Sequence, residues 1–129
     1  VNVLLDTHTL LWLVSKPSNV DADTLAILSD PGTSVWVTAA SAWEIATKTR
    51  LGRLDGGALL STWTDVIADM SSTELAIDSA DAILAGRLPW EHRDPFDRII
   101  VAQALRRNLT IATRDTKIID AAITPTLKA

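Results

Sequence analysis

Four acidic side chains in this 129-residue sequence, Asp6, Glu44, Asp97 and Asp115, stand where strand-like apolar runs give way to helix-like stretches. In a parallel sheet, successive strands end on the same edge, so acids at those ends converge on one crevice. Carboxylates gathered there repel one another; at ~4 Å and an effective dielectric of ~20, one pair costs roughly 4 kcal/mol. A divalent cation removes that cost, and oxygen-only ligands suit Mg²⁺ or Mn²⁺.

Each acid also has a purely structural explanation. Ser41-Ala-Trp-Glu44 reads as a capping box, and Glu44 with Lys48 as a favourable i,i+4 pair. Asp6 and Asp115 suit the N-caps of the helices they precede. Asp94 precedes Pro95, the residue favoured at the first helical position, and reads as an N-cap without a metal role. Asp97 fits such a role least. By helical period it shares a face with Ile100, Val101, Ala104 and Leu105, and a charge on an apolar face needs a partner. Four coincidences of position make the joint case stronger than any single one.

The elements that would position these acids alternate along the chain. Strands are predicted over VNVLL (1–5), SVWVT (34–38), TELAI (73–77) and LTIAT (109–113). ITPTL (123–127) suits a final edge strand, because Pro125 disfavours a central one. Helices are predicted over 7–15, 21–29, 41–50, 58–70, 79–88, 95–108 and 115–122, with residues 90–94 a polar connection. Alternating β and α implies one three-layer α/β domain over residues 1–129, with a mainly parallel sheet of four to five strands flanked by helices.

Composition narrows the chemistry. The chain has no Cys, which excludes thiolate metal sites and Cys nucleophiles. That absence suits a reducing cytosol, and a cytoplasmic location is the expectation. No apolar run reaches the ~18–20 residues of a membrane span, and Asp6 interrupts the apolar N-terminus, against a signal peptide. The net charge of −4 does not advertise nucleic-acid binding, but an acidic metal pocket accounts for several of those charges. Basic residues cluster near the acids: Lys48, Arg50 and Arg53 after Glu44, Arg93 and Arg98 around Asp97, and Arg114 before Asp115. His8 reads as a packed or rim residue and His92 as exposed in its loop, and core packing is the expectation for most of the five Trp. No Gly-rich phosphate loop and no Ser nucleophile motif is present.

Taken together and in order, LLDTHTLLW (4–12), SAWEIATKTRLGRL (41–54), HRDPFDRIIVAQA (92–104) and LTIATRD (109–115) resemble PIN-domain proteins, above all VapC-type toxins of bacterial toxin–antitoxin pairs. The resemblance implies a metal-dependent ribonuclease. Carried over by motif, Asp6, Glu44, Asp97 and Asp115 are the catalytic and metal-holding acids, with Mg²⁺ or Mn²⁺ as cofactor and hydroxyl help from Thr7 and Thr113. Lys48, Arg50, Arg93, Arg98 and Arg114 are candidates for holding flanking RNA phosphates. Arg98 stands where some relatives have an apolar residue.

The implied partners are RNA, a cognate antitoxin of the VapB kind and a second copy of the chain. Helices 7–15 and 21–29 offer apolar surface for an antitoxin helix. Three other readings compete. A dehalogenase-like phosphatase expects a second Asp two residues after Asp6, where His8 stands, and a receiver-type domain expects paired acids there. A catalytically silent binding module would keep the fold without using the acids.

Overall fold

The computed structural model describes all 129 residues. Strands β1 (Asn2–Leu5), β2 (Ser34–Thr38), β3 (Thr73–Leu75), β4 (Thr110–Thr113) and β5 (Thr126–Lys128) are separated by helices. These are α1 (Thr7–Ser15), α2 (Ala22–Ser29), α3 (Ala39–Arg50), α4 (Gly57–Ser61), α5 (Trp63–Asp69), α6 (Ser79–Arg87), α7 (Pro95–Arg107) and α8 (Thr116–Ala121), with a single 3-10 turn over Pro17–Asn19. All five strands join one sheet in the order β3-β2-β1-β4-β5, and every neighbouring pair is parallel. No helix is long and apolar enough to cross a membrane.

The strands are apolar on both faces because helices cover both. On one side Leu4 and Ile111 pack with Ile100, Val101 and Ala104 of α7 and Ile118 of α8. On the other, Val3, Leu5, Val37 and Ala112 pack with Leu10 of α1, Ile45 of α3 and Ile67 of α5. Burying such a side chain contributes about 1.5–3 kcal/mol, so these two cores hold the sheet between its helical layers.

The strand order decides where chemistry can occur. From β1 the chain moves outward to β2 and β3, then returns past β1 to β4. The crevice at the carboxyl ends of β1 and β4 is therefore a topological switch point, the usual ligand position in such sheets. Register sharpens this: Leu5 pairs with Ala112 on one side and Val37 on the other. The next residue, Asp6, thus emerges between Thr113 and Thr38, and its amide donates to the Ala112 carbonyl at 3.2 Å.

A buried polar network keys α7 to the sheet. Thr38 Oγ1 donates to Gln103 Oε1 at 2.5 Å, and Gln103 Nε2 donates to the Ala76 carbonyl and to Asp81, each at 3.2 Å. Gln103 and Asp81 are fully buried, and Arg106 and Arg107 of α7 pair with Asp81 of α6. Buried polar groups satisfied in this way set the rotation of α7, and with it the direction of the residues in its first turn.

Several elements depart from the sequence expectation. The helix expected over 58–70 breaks at Thr62, whose φ of −118° is not helical. The Ser61 and Thr62 hydroxyls donate back to the Gly57 and Ala58 carbonyls, a local competition that bends helices. β3 ends at Leu75 because the Ala76 carbonyl turns to Gln103. Leu105 is 45% exposed; eight residues beyond Asp97 it has drifted to the edge of the buried stripe.

Candidate functional site

Asp6 is a buried acid of the crevice. Its Oδ1 caps α1 by accepting from the Thr9 amide at 2.8 Å, and its Oδ2 accepts from Thr113 Oγ1 at 2.5 Å. Burial pushes its pKa up, although the Thr113 and Thr9 hydrogen bonds and nearby His8 act in the opposite direction. The Thr113 hydroxyl also accepts from the Asp115 amide at 3.0 Å, which ties the two acids to one side chain. Asp6 and Asp115 line a common cavity of about 310 Å³ with His8, Trp12 and Arg114. Asp115 additionally caps α8 through the Lys117 amide at 2.9 Å, so its capping and crevice positions coexist.

Asp97 lies in the first turn of α7. Asp94 is the N-cap, as its position before Pro95 implied, and its Oδ1 accepts from the Phe96 amide at 2.8 Å and the Asp97 amide at 3.2 Å. The Asp97 carboxyl is pushed up to about 6, by burial first, against the hydrogen bond from His92, with the charges of Asp94, Asp115 and Glu44 adding to the rise. Three acids from separate elements therefore act on one carboxyl.

His92 departs from the expected exposed loop residue. Its side chain is only 14% exposed, and its Nε2 lies 2.7 Å from Asp97 Oδ2. The sequence signal was its place five residues before Asp97, with the Asp94-Pro95 helix start between them. His8, by contrast, is exposed at the crevice rim.

Glu44 does not belong to a capping box. Helix α3 starts at Ala39, and the cap is Thr38, whose hydroxyl accepts from the Ala40 amide at 3.0 Å. Ser41 sits inside the helix, and its hydroxyl meets Thr7 Oγ1 at 3.0 Å, joining α3 to α1. Glu44 is thus a buried acid in a helix interior, with Lys48 Nζ 2.5 Å from its Oε2. The i,i+4 pair is present and the reciprocal capping role is not.

The basic residues divide. Lys48 lines a cavity of about 340 Å³ with Thr7, His8, Leu11, Arg53 and Leu54, beside Glu44. Arg50 and Arg93 are exposed. Arg98 differs from a free phosphate donor: it turns inward and donates to the Ala85, Leu88, Trp90 and His92 carbonyls. Arg114 is partly committed, donating to the Asn19 and Ala129 carbonyls while its guanidinium stacks 4.6 Å from the Trp12 ring. Trp43 is 49% exposed rather than packed in the core and meets Phe96 edge-on at 4.5 Å.

The ligand atoms close enough to share one ion are His92 Nε2 and carboxylate oxygens of Asp94 and Asp97, all within 4.8 Å of one another, whereas Asp6, Asp115 and Glu44 fall outside that group. Burial and neighbouring acids oppose ionisation of the Asp97 carboxyl, and burial opposes that of Asp6. A hard divalent cation such as Mg²⁺ or Mn²⁺ fits such a set.

Comparison with known proteins gives a consistent picture. Residues 3–123 match the family model for the PIN domain. A comparison with curated proteins found no match. Among solved structures, the chain resembles one from the VapBC2 complex of Rickettsia felis bound to a promoter DNA fragment, with TM-score 0.72 and 13% identity over 98% of both chains. It also resembles a chain of a toxin–antitoxin complex from Klebsiella pneumoniae, with TM-score 0.66 and 20% identity over 98% of this chain and 96% of that one. A third likeness is to VapBC-1 from nontypeable Haemophilus influenzae, with TM-score 0.64 and 14% identity over 99% and 98%.

Proposed function

The chain belongs to the PIN-domain family, and we propose that it is a VapC-type toxin, a metal-dependent endoribonuclease neutralised by a cognate antitoxin. The observation that carries this reading is that Asp6 and Asp115 share one cavity at the switch point of a parallel sheet, tied by Thr113, with the charges of Asp94, Asp115 and Glu44 acting on Asp97 nearby. Asp94 and Asp115 cap α7 and α8 and Glu44 pairs with Lys48, but Asp97 caps no helix, and a bound cation would offset the cost of its burial beside them.

In this reading Asp6, Asp97 and Asp115 hold Mg²⁺ or Mn²⁺. A bound ion would supply Lewis acidity toward a phosphate oxygen and would lower the pKa of water. Glu44 orients the attacking water and accepts its proton. The water oxygen bonds to phosphorus, the bond from phosphorus to the ribose 3′ oxygen breaks, and the 3′ oxygen takes a proton from solvent as it leaves. The products carry a 5′-phosphate and a 3′-OH. Lys48, with Arg53 in the same cavity, neutralises flanking phosphates; exposed Arg50 and Arg93 extend that reach, and Arg114 offers the part of its guanidinium not bonded to backbone.

The antitoxin reading is supported by a cleft of about 480 Å³ lined by Leu13 of α1, Leu25 and Leu28 of α2, Val35 and Met70. An amphipathic helix lays its apolar face into such a groove. A homodimer within a larger toxin–antitoxin assembly completes the proposal.

The test is RNA cleavage by Asp6→Asn and Asp97→Asn, with and without Mg²⁺. Loss of cleavage in both, and in EDTA, is expected. Full cleavage by either variant, or in EDTA, would remove the reading, and a fold that binds Mn²⁺ without cutting RNA would favour a silent binding module.

A further inference from the structure

The segment between α6 and α7 has no helix or strand of its own, yet it is held at many points. Arg98 Nε donates to the Ala85 carbonyl at 2.8 Å, and its Nη2 to the Leu88 carbonyl at 2.8 Å. Its Nη1 reaches the Trp90 carbonyl at 2.6 Å and the His92 carbonyl at 2.9 Å. Four of the five guanidinium N–H groups are thus spent on carbonyls running from the last turn of α6 to His92. The His92 ring lies 4.9 Å from the Trp90 ring, and its Nε2 meets Asp97 Oδ2 at 2.7 Å.

We infer that His92 is the positioning residue for the Asp97 carboxylate, and that Arg98 acts one step further out by fixing the loop that presents His92. The inference rests on Asp97 being a metal-holding acid. Asp97 sits in the first turn of α7, where its backbone is fixed by the Asp94 cap. Its carboxylate has one side-chain partner, His92. With Asp97 ionised, Nε2–H donates to Oδ2 and holds the side-chain torsion, while Oδ1 accepts no hydrogen bond from the protein. A carboxylate oriented in this way loses less freedom on taking up an ion, and removing such an outer partner typically costs 10–100-fold in metal affinity or activity. Arg98 follows Asp97 directly in sequence yet points away from the crevice, so one helical turn supplies both the ligand and the anchor of the loop that orients it.

Two substitutions separate the hydrogen bond from the packing. His92→Phe keeps a ring against Trp90 and loses the donor; His92→Gln keeps an N–H donor and loses the ring. The full chain, freed of metal, is titrated with Mn²⁺ by calorimetry, melted without metal, and assayed on RNA with Mg²⁺. His92→Phe is expected to weaken Mn²⁺ binding and lower kcat about 10–100-fold with KM nearly unchanged, while melting close to the unsubstituted protein. His92→Gln is expected to recover most of both. Arg98→Lys, which cannot span four carbonyls, is expected to fall between them. Wild-type Mn²⁺ affinity in His92→Phe would overturn the inference. So would a reversed order, with Gln worse than Phe, since ring packing would then be what matters. A His92→Gln protein that keeps Mg²⁺-dependent cleavage but loses Mn²⁺ binding would make His92 a ligand instead. The readings remain distinguishable: Mn²⁺ binding unaltered in Asp97→Asn removes the site itself, whereas failure confined to the His92 variants removes only the positioning role.

Discussion

Thr113 donates to Asp6 Oδ2 at 2.5 Å across the β1–β4 pair, and the same hydroxyl accepts from the Asp115 amide at 3.0 Å. One buried side chain at the end of β4 therefore serves acids from two strands. Thr113→Val keeps the volume and removes both contacts, leaving a buried carboxylate one donor short. A stability loss of about 1–3 kcal/mol is expected in urea unfolding of the metal-free protein, with Thr113→Ser recovering most of it. A valine variant as stable as the parent would show that the hydroxyl contributes nothing to holding Asp6.

The metal-free protein should be strained by its own crevice as pH rises. Asp97 titrates at about 6 against an ordinary 3.8, and Asp6 is shifted in the same direction. A carboxyl with a raised folded value holds its proton more tightly when folded. Its stabilising contribution is fully present below 3.8 and is lost as pH rises through about 6. A cation that binds only the folded, ionised site reverses that loss. Mn²⁺ should therefore raise Tm clearly at about pH 7.5 and little at about pH 5. Asp97→Asn should raise the metal-free Tm at the higher pH and abolish the Mn²⁺ response. An equal Mn²⁺ effect at both pH values would contradict the assignment.

The crevice was legible in the sequence because parallel topology does most of the positioning. Once VNVLL and LTIAT read as buried strands, Asp6 and Asp115 had to leave the sheet on one edge, and the sheet order confirms it. Asp97 was legible as a charge on an apolar helix. His92 was not, because its burial depends on Arg98 reaching carbonyls as far back as Ala85, a relation no local pattern encodes. The start of α3 was misread because Thr38 and Ser41 both suit a cap. The choice fell to Thr38 where Ser41 was taken up by Thr7 from a distant element. The exposed Trp43 had no signal beyond its helical context.

Asp81 gives the opposite pH behaviour to Asp97. Burial acts to raise its pKa, but the hydrogen bonds from Arg107 and Arg106 outweigh it and hold the carboxyl well below the usual range. Its contribution is present above 3.8 and lost as pH falls through that low folded value. The two Arg side chains are 33% and 26% exposed, so solvent weakens the pairing. Asp81→Ala should destabilise by about 1–3 kcal/mol near neutral pH, and the difference from the parent should shrink in strong acid. Because Asp81 also holds Gln103, the α6–α7 contact should show faster amide exchange. Equal stability at neutral pH would mean that the network merely fills space.

Gly56 supports the helix that carries Glu44. A Cβ there would lie 2.6 Å from Ile45 Cγ2 and 2.7 Å from Thr49 Oγ1, both on α3, while its φ of −103° is open to any residue. Crowding rather than backbone strain therefore decides the outcome. Gly56→Ala should cost about 1–3 kcal/mol. Gly57→Ala, where no atom lies within 4 Å, should be neutral or mildly stabilising. Chemical denaturation of the two variants side by side checks this, and similar midpoints would show that α3 gives way without penalty.

Lys48 faces two demands that RNA binding would separate. In the free protein its Nζ pairs with Glu44, and its side chain shares a cavity with His8 and Arg53 at the crevice rim. If a phosphate enters that cavity, Lys48 and Arg53 release counterions, and each contributes about one charge to the salt dependence of binding. Measured with the cleavage-deficient Asp97→Asn protein, Lys48→Met and Arg53→Met should each weaken RNA binding and reduce the slope of log K against log salt by about 1. Arg98→Lys should leave that slope unchanged, because Arg98 spends its donors on backbone carbonyls. A slope that falls with Arg98 but not with Lys48 would place the RNA on the α6–α7 side of the crevice instead.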